Sequence, residues 1–245
     1  MQITKRNVEL RVDDSLMRVY VAAPKPDGLY PGILFYSDIY QLGGAITRLV
    51  DHLAGYGYIV AAPEIFHRIE PVGLIIEPDD LGRMRGNDDA RRTAIADYDT
   101  DARAMIEFLK GESSVAPGKI GTIGFCIGGH LAFRAAINSE IQAAACCYPT
   151  GLPSGKLGQG VANTLQRVGD IKGEVLIVFG TIDPHVLEND RKTIIQSLDD
   201  AGVPHNILQY EADHTFMRDD GHRYDPAATD SAWAEITAFF GRAFG

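Results

Sequence analysis

A chain of 245 residues, 45% hydrophobic and 23% charged, has ordinary globular composition and enough apolar residues for a large core. Its formal net charge of −10 argues against nucleic acid or an anionic membrane surface as a partner, and no apolar run approaches the roughly 20 residues that span a bilayer. Its three cysteines, Cys126 and the adjacent Cys146 and Cys147, make neither a disulfide framework nor a paired zinc spacing, and residues 1–6 lack the apolar stretch of a secretory signal; no metal or cofactor is expected, and a reducing cytoplasm fits best.

Val8–Val12 and Leu16–Ala22 read as a hairpin across Asp13-Asp14-Ser15, and the alternation in the first strand implies one wet face at a sheet edge. Gly32–Tyr36 is a continuous apolar run, as in a strand covered on both faces, ending in Ser37-Asp38-Ile39-Tyr40. Ile46, Leu49, Val50 and Leu53 have helical spacing, with a stop at Gly55 or Gly57, and Tyr58–Pro63 is the next buried strand. Residues 64–89 carry Arg68, Arg83 and Arg85 among glycine and proline without a clean period, and residues 90–110 predict one long helix. Further strands are expected at Lys119–Ile123, Ile141–Tyr148, Glu174–Gly180 and His205–Tyr210, and helices at Val186–Ala201 and Ala228–Phe240. Residues 150–172 are glycine-rich and irregular. Strands alternating with helices after an N-terminal antiparallel hairpin, with no repeat or linker, imply a single α/β domain over 1–245. Its sheet is expected to be mostly parallel with helices on both faces.

The chemistry centres on Gly124-Phe125-Cys126-Ile127-Gly128-Gly129, between a strand and a helix-forming run. Glycine two before and two after a nucleophilic residue is the nucleophile-elbow pattern, here with cysteine. A sharp strand-to-helix turn strains its central residue and needs tiny neighbours, and the helix N-terminus favours a thiolate and later an oxyanion. In such sheets ligands bind where strands end at their carboxyl side. Asp38, Cys126, Asp183 and His214 all follow strand ends, and nucleophile, acid, histidine is the chain order of α/β-hydrolases. His214 would exchange a proton with the thiol and the leaving group, Asp183 would orient the imidazole, and the backbone N–H groups of Ile127 and Ile39 would form the oxyanion hole. Each residue also has a plainer reading: a buried cysteine in a tight turn, an Asp183-Pro184 turn capping a helix, a solvated His214, an Asp38 that bonds backbone N–H groups of its loop. Four placements in the right order outweigh them. His52 and His222 read as solvated, His130 has no nameable partner, and His67 and His185 flank strand ends where a pocket would be lined.

The elbow, the turn Gly180-Thr181-Ile182-Asp183-Pro184, the run His214-Thr215-Phe216-Met217-Arg218, and Pro63-Glu64-Ile65-Phe66 together resemble the dienelactone hydrolase family over essentially the whole chain. The resemblance implies an α/β-hydrolase fold and a Cys126–His214–Asp183 triad that opens an enol-lactone to a dicarboxylic acid. It implies that Arg218 binds the substrate carboxylate, with a second arginine, Arg83 or Arg85, before the long helix. Two positions depart from the family pattern. Asp38 stands where the family usually has Glu, a carboxylate that interacts with the nucleophilic thiol, and His185 stands where members working on dienelactone tend to have an aromatic pocket residue. The expected activity is hydrolysis of a small carboxylate-bearing ester or lactone. Two alternatives are a general carboxylesterase or thioesterase and a binding protein without turnover.

Overall fold

The opening hairpin is longer than its apolar residues suggest. In the computed structural model, which describes residues 1–245, β1 (Ile3–Val12) and β2 (Ser15–Pro24) pair antiparallel along their whole lengths. The strands β3 (Tyr30–Tyr36), β4 (Ile59–Pro63), β5 (Val115–Phe125), β6 (Ile141–Cys147), β7 (Glu174–Gly180) and β8 (His205–Tyr210) complete one eight-stranded sheet. Its order is β1-β2-β4-β3-β5-β6-β7-β8, antiparallel as far as the β2–β4 pair and parallel from β4 onward. β1 lies at the edge with most of its residues wet, as the alternation predicts.

The helices are α1 (Gly44–Gly55), α2 (Asp80–Arg92), α3 (Ile95–Gly111), α4 (Ile127–Ala135), α5 (Glu188–Ala201) and α6 (Pro226–Phe244). Successive residues of a strand face opposite sides, so β3 sends Ile33 and Phe35 to one core and Leu34 and Tyr36 to the other. The first core takes Ile46, Val50 and Leu53 of α1 and Trp233, Ile236 and Phe240 of α6. The second takes Met105 and Leu109 of α3, Leu131 and Phe133 of α4, and Ile194 and Leu198 of α5. Each such side chain contributes about 1.5–3 kcal/mol by leaving water, which makes both faces of the sheet a rigid mount for its strand ends. No helix is long and apolar enough to cross a membrane.

The long helix expected over 90–110 is two helices. Thr93 and Ala94 are extended (ψ 128° and 142°), and Gln159 pairs with them through its N–H to Thr93 O at 2.8 Å. The apparently formless stretch before residue 90 holds most of α2, whose N-cap Asp79 accepts from Gly82 N–H at 2.7 Å. The buried face of α2 is Gly82, Gly86, Asp89 and Ala90, which presents no apolar stripe. Small residues are what the packing needs. A Cβ on Gly86 would stand 2.4 Å from Ile39 O, so α2 lies directly on the loop that follows β3.

Candidate active site

The elbow is built by close approach. A Cβ on Gly124 would stand 1.9 Å from Gly128 O, one on Gly128 2.3 Å from Ser37 O, and one on Gly129 2.6 Å from Cys147 O. Glycine at these three positions lets α4 begin hard against the ends of β3, β5 and β6. Cys126 is held between them at φ 61° and ψ −119°, its N–H donating to Cys147 O at 3.1 Å. Side chains rarely adopt positive φ, and surrounding structure must hold such a residue there. Gln41, Tyr148 and Thr215 share the strain, and all follow the carboxyl ends of parallel strands; the fifth such residue, Asp13, makes the hairpin turn.

His214 Nδ1–H donates to Asp183 Oδ2 at 2.7 Å, and both residues are buried. The other oxygen, Asp183 Oδ1, accepts from His185 N–H at 2.7 Å and Val186 N–H at 3.3 Å. The turn-making reading of Asp183 and the imidazole-orienting one therefore use different oxygens. Burial disfavours a charged His214, but the Cys126 thiol and Asp183 outweigh it and push the imidazole up to about 10. Burial likewise opposes charge on Asp183, yet its bonds to His214 and the backbone hold it below the usual carboxylate range. His214 feels Cys126 both electrostatically and as a hydrogen-bond partner, while its fixed bond of ordinary geometry is the one to Asp183. His185 packs edge-on to His214 with ring centroids 4.7 Å apart.

Asp38 does not hydrogen-bond to the thiol. Its Oδ2 accepts from Arg218 Nη1 at 2.5 Å and its Oδ1 from Tyr40 N–H at 2.9 Å. Burial raises the Asp38 carboxyl despite the arginine. Arg218 also donates through Nε to Asp220 Oδ1 at 2.7 Å and lies 4.7 Å above the Tyr40 ring, which leaves Nη2 without a partner. Its loop is tied to α1 by the Arg48–Asp219 pair.

Ile127 is the first residue of α4, so its N–H has no intrahelical acceptor. Ile39 N–H meets no carbonyl of the protein. The close approach of Gly128 to Ser37 sets the start of α4 against the loop that carries Ile39. Arg85 grips Glu70 through Nε and Nη2 at 2.5 Å each. Arg83, half exposed one turn before Gly86, makes only a 3.2 Å contact with Asp80, and its charge is felt at Tyr40. His67 does not line this site. Its ring is sealed between Ser15 Oγ at 2.9 Å and Asp101 Oδ2 at 3.1 Å. His130, without a nameable partner in the sequence, bridges Thr150 O at 2.9 Å and Thr164 Oγ1 at 2.8 Å. Burial pushes its imidazole down to about 3, so it is a neutral clamp on the irregular segment. His52 and His222 are exposed.

The structure adds two residues that sequence reasoning passed over, Tyr40 beneath Arg218 and Tyr148 beside His214 at 5.2 Å between ring centroids. The available signal was position: both follow strands that end at this edge. Two surface hollows, of about 260 Å³ around Ile120 and Gln142 and about 210 Å³ around Tyr58 and Phe240, touch none of the residues named for the site. No cluster of His, Cys, Asp or Glu has metal-binding geometry.

A mostly parallel eight-stranded sheet, with an elbow cysteine and a histidine–aspartate pair at its carboxyl edge, is an α/β-hydrolase fold. Within that class the chain belongs to the dienelactone hydrolase family, whose model matches residues 17–244. A Saccharomyces cerevisiae protein provisionally named carboxymethylenebutenolidase is 35% identical over 238 residues, 92% of this chain and 86% of its own. The carboxymethylenebutenolidase of Pseudomonas sp. strain P51 is 26% identical, covering 84% of this chain and 82% of its own. Among solved structures, a provisionally named dienelactone hydrolase from Klebsiella pneumoniae superposes with a TM-score of 0.81 at 22% identity, over 99% of this chain and all of its own, a likeness of fold.

Proposed function

We propose that this hydrolase of the dienelactone hydrolase family cleaves small esters or lactones that carry a carboxylate, an enol-lactone of the dienelactone kind among them, through an acyl-enzyme on Cys126. The thiol proton passes to His214, Sγ bonds to the carbonyl carbon, and the carbonyl pair moves onto an oxygen facing the N–H groups of Ile39 and Ile127. The carbon–oxygen bond then breaks, and the departing oxygen takes the proton from His214. Water, deprotonated by the same imidazole, releases the acid and restores the thiol. Asp183 keeps Nδ1 protonated and stabilises the imidazolium. The observation that carries this reading is the 2.7 Å His214–Asp183 bond beside a cysteine held at positive φ in the elbow. Three free thiols, two of them buried, suit a reducing cytoplasm.

Arg218 is the carboxylate-binding group in this account. It already holds two carboxylates, Asp38 through Nη1 and Asp220 through Nε, and a substrate carboxylate would take Nη2 or compete for Nη1. The general carboxylesterase reading draws on the same contact, since Arg218 is engaged by Asp38 and Asp220 before any substrate arrives. Two esters with one leaving group, differing only in an acyl-side carboxylate, separate the readings. Arg218→Lys keeps a charge opposite Asp38 but loses the planar fork. It should lower kcat/KM for the carboxylate-bearing ester at least tenfold more than for the neutral one; equal losses would leave the general carboxylesterase.

A further inference from the structure

Tyr148 is the first residue after β6, and β6 lies between β5, which ends at the elbow, and β7, which leads to Asp183. Its ring is packed among Phe125 (6.0 Å between centroids), Phe216 (5.6 Å) and the His214 imidazole (5.2 Å, edge to face). The backbone is held at φ 38° by a 2.7 Å bond from Tyr148 N–H to Val178 O, a strained conformation fixed beside the catalytic edge.

The residue is only 1% exposed, and its hydroxyl makes no hydrogen bond within the protein. Three side-chain atoms are sealed from solvent without a partner, namely Ser37 Oγ, Asp89 Oδ2 and Tyr98 OH; the Tyr148 hydroxyl is not among them. The small accessible part of Tyr148 therefore includes its hydroxyl, while the ring beneath is enclosed. Buried tyrosine hydroxyls usually find a partner. Here the free group belongs to a ring packed edge to face on His214, within range of the charges of Cys147, Asp38, Cys126 and Arg218. Burial first, and then the neighbouring acidic groups, hold the phenol well above its ordinary value, so it remains a neutral donor.

Sheet order places Tyr148 relative to Cys126. Ile39 follows β3, on one side of β5; Tyr148, Asp183 and His214 follow β6, β7 and β8, on the other. Ile39 and Tyr148 thus flank Cys126 from opposite sides, and Tyr148 shares the side on which Asp183 and His214 stand. We propose that Tyr148 is a further catalytic residue, its hydroxyl donating a hydrogen bond to the departing oxygen of the ester or lactone. This rests on the Cys126 acyl-enzyme reading. As the carbon–oxygen bond breaks, its electron pair goes to that oxygen and His214 supplies the proton. Tyr148 keeps its own proton throughout and stabilises the charge before transfer is complete.

The test is Tyr148→Phe, which keeps the ring and removes only the hydroxyl, assayed for kcat/KM on aryl and alkyl acetates with leaving groups of rising pKa. The loss should be about twofold or less for 4-nitrophenyl acetate and grow to about tenfold or more for the poorest leaving group, where most charge develops. The thermal midpoint should hold or rise, because no protein hydrogen bond is lost. A loss uniform across the series, or no loss, overturns the assignment. So does a Tyr148→Phe protein that misfolds, since an unpartnered hydroxyl cannot be holding the fold. Cys126→Ala assayed beside it separates the two readings. Turnover surviving there refutes the thiol mechanism, whereas a missing leaving-group dependence in Tyr148→Phe refutes this inference alone.

Discussion

Gly128→Ala is the smallest change that strikes the elbow. The added methyl would sit 2.3 Å from Ser37 O and 2.6 Å from Tyr36 O, both backbone atoms, where ordinary contact begins at 3.4 Å. No side chain can swing aside, so the start of α4 must retreat from β3 by about 1 Å. Overpacking of this kind costs about 1–3 kcal/mol, against which the helix preference of alanine over glycine returns at most about 1 kcal/mol. The catalytic loss should be larger, because a shift of about 1 Å at the reacting atoms costs on the order of 100-fold in rate. Both Cys126 and the Ile127 N–H would move away from Ile39. Thermal unfolding and ester hydrolysis measured on the same preparation separate the two effects. Gly241→Ala in α6 is the control: nothing lies within 4 Å of its Cβ position, and it should gain roughly 0.5–1 kcal/mol with activity unchanged. A Gly128→Ala protein within twofold of wild-type activity would refute the view that this backbone contact positions the nucleophile.

Stability should depend on pH through His214. Its folded value of about 10 lies above the roughly 6.5 of an unfolded histidine, so its contribution is complete below that lower value and is lost as pH rises through about 10. Asp183 acts in the opposite sense: held low, it contributes above the unfolded value of about 4 and loses that contribution as pH falls through its folded one. Urea midpoints should therefore fall on the alkaline side, and Cys126→Ala should move that fall to lower pH; superimposable profiles would contradict the coupling. Asp38→Asn should lower stability by about 3 kcal/mol by breaking a buried pair. It should also speed iodoacetamide alkylation of Cys126 at neutral pH, since a negative neighbour is gone while Arg218 remains; an unchanged alkylation rate would separate Asp38 from the thiol. Arg83→Ala should raise KM for a carboxylate-bearing substrate and Arg85→Ala should not, because Arg85 is committed to Glu70; the reverse order would exchange their roles.

The strands were legible because burial on both faces writes itself as uninterrupted apolar runs, as in Gly32–Tyr36 and Glu174–Gly180. Once those strands were placed, their ends located Asp38, Cys126, Asp183 and His214. What was not legible depends on partners distant in sequence. The break at Thr93-Ala94 is imposed by Gln159, so the local period ran across it. α2 escaped notice because its buried face is glycine, alanine and aspartate, chosen for close approach to Ile39 and invisible to hydrophobic periodicity. The Asp38–Arg218 pair joins residues 180 apart. Sequence could name both as charged residues near a pocket, but not that each is the other's partner before substrate binds.

In the proposed reaction Cys126 carries the acyl group. Acid-quenched intact mass and peptide mapping after mixing the protein with an activated ester test it most directly. One acyl adduct is expected, on the peptide containing Cys126, in the wild-type protein, and neither adduct nor turnover in Cys126→Ala that unfolds at the wild-type temperature. An adduct on another residue, or hydrolysis at the wild-type rate in Cys126→Ala, would contradict it.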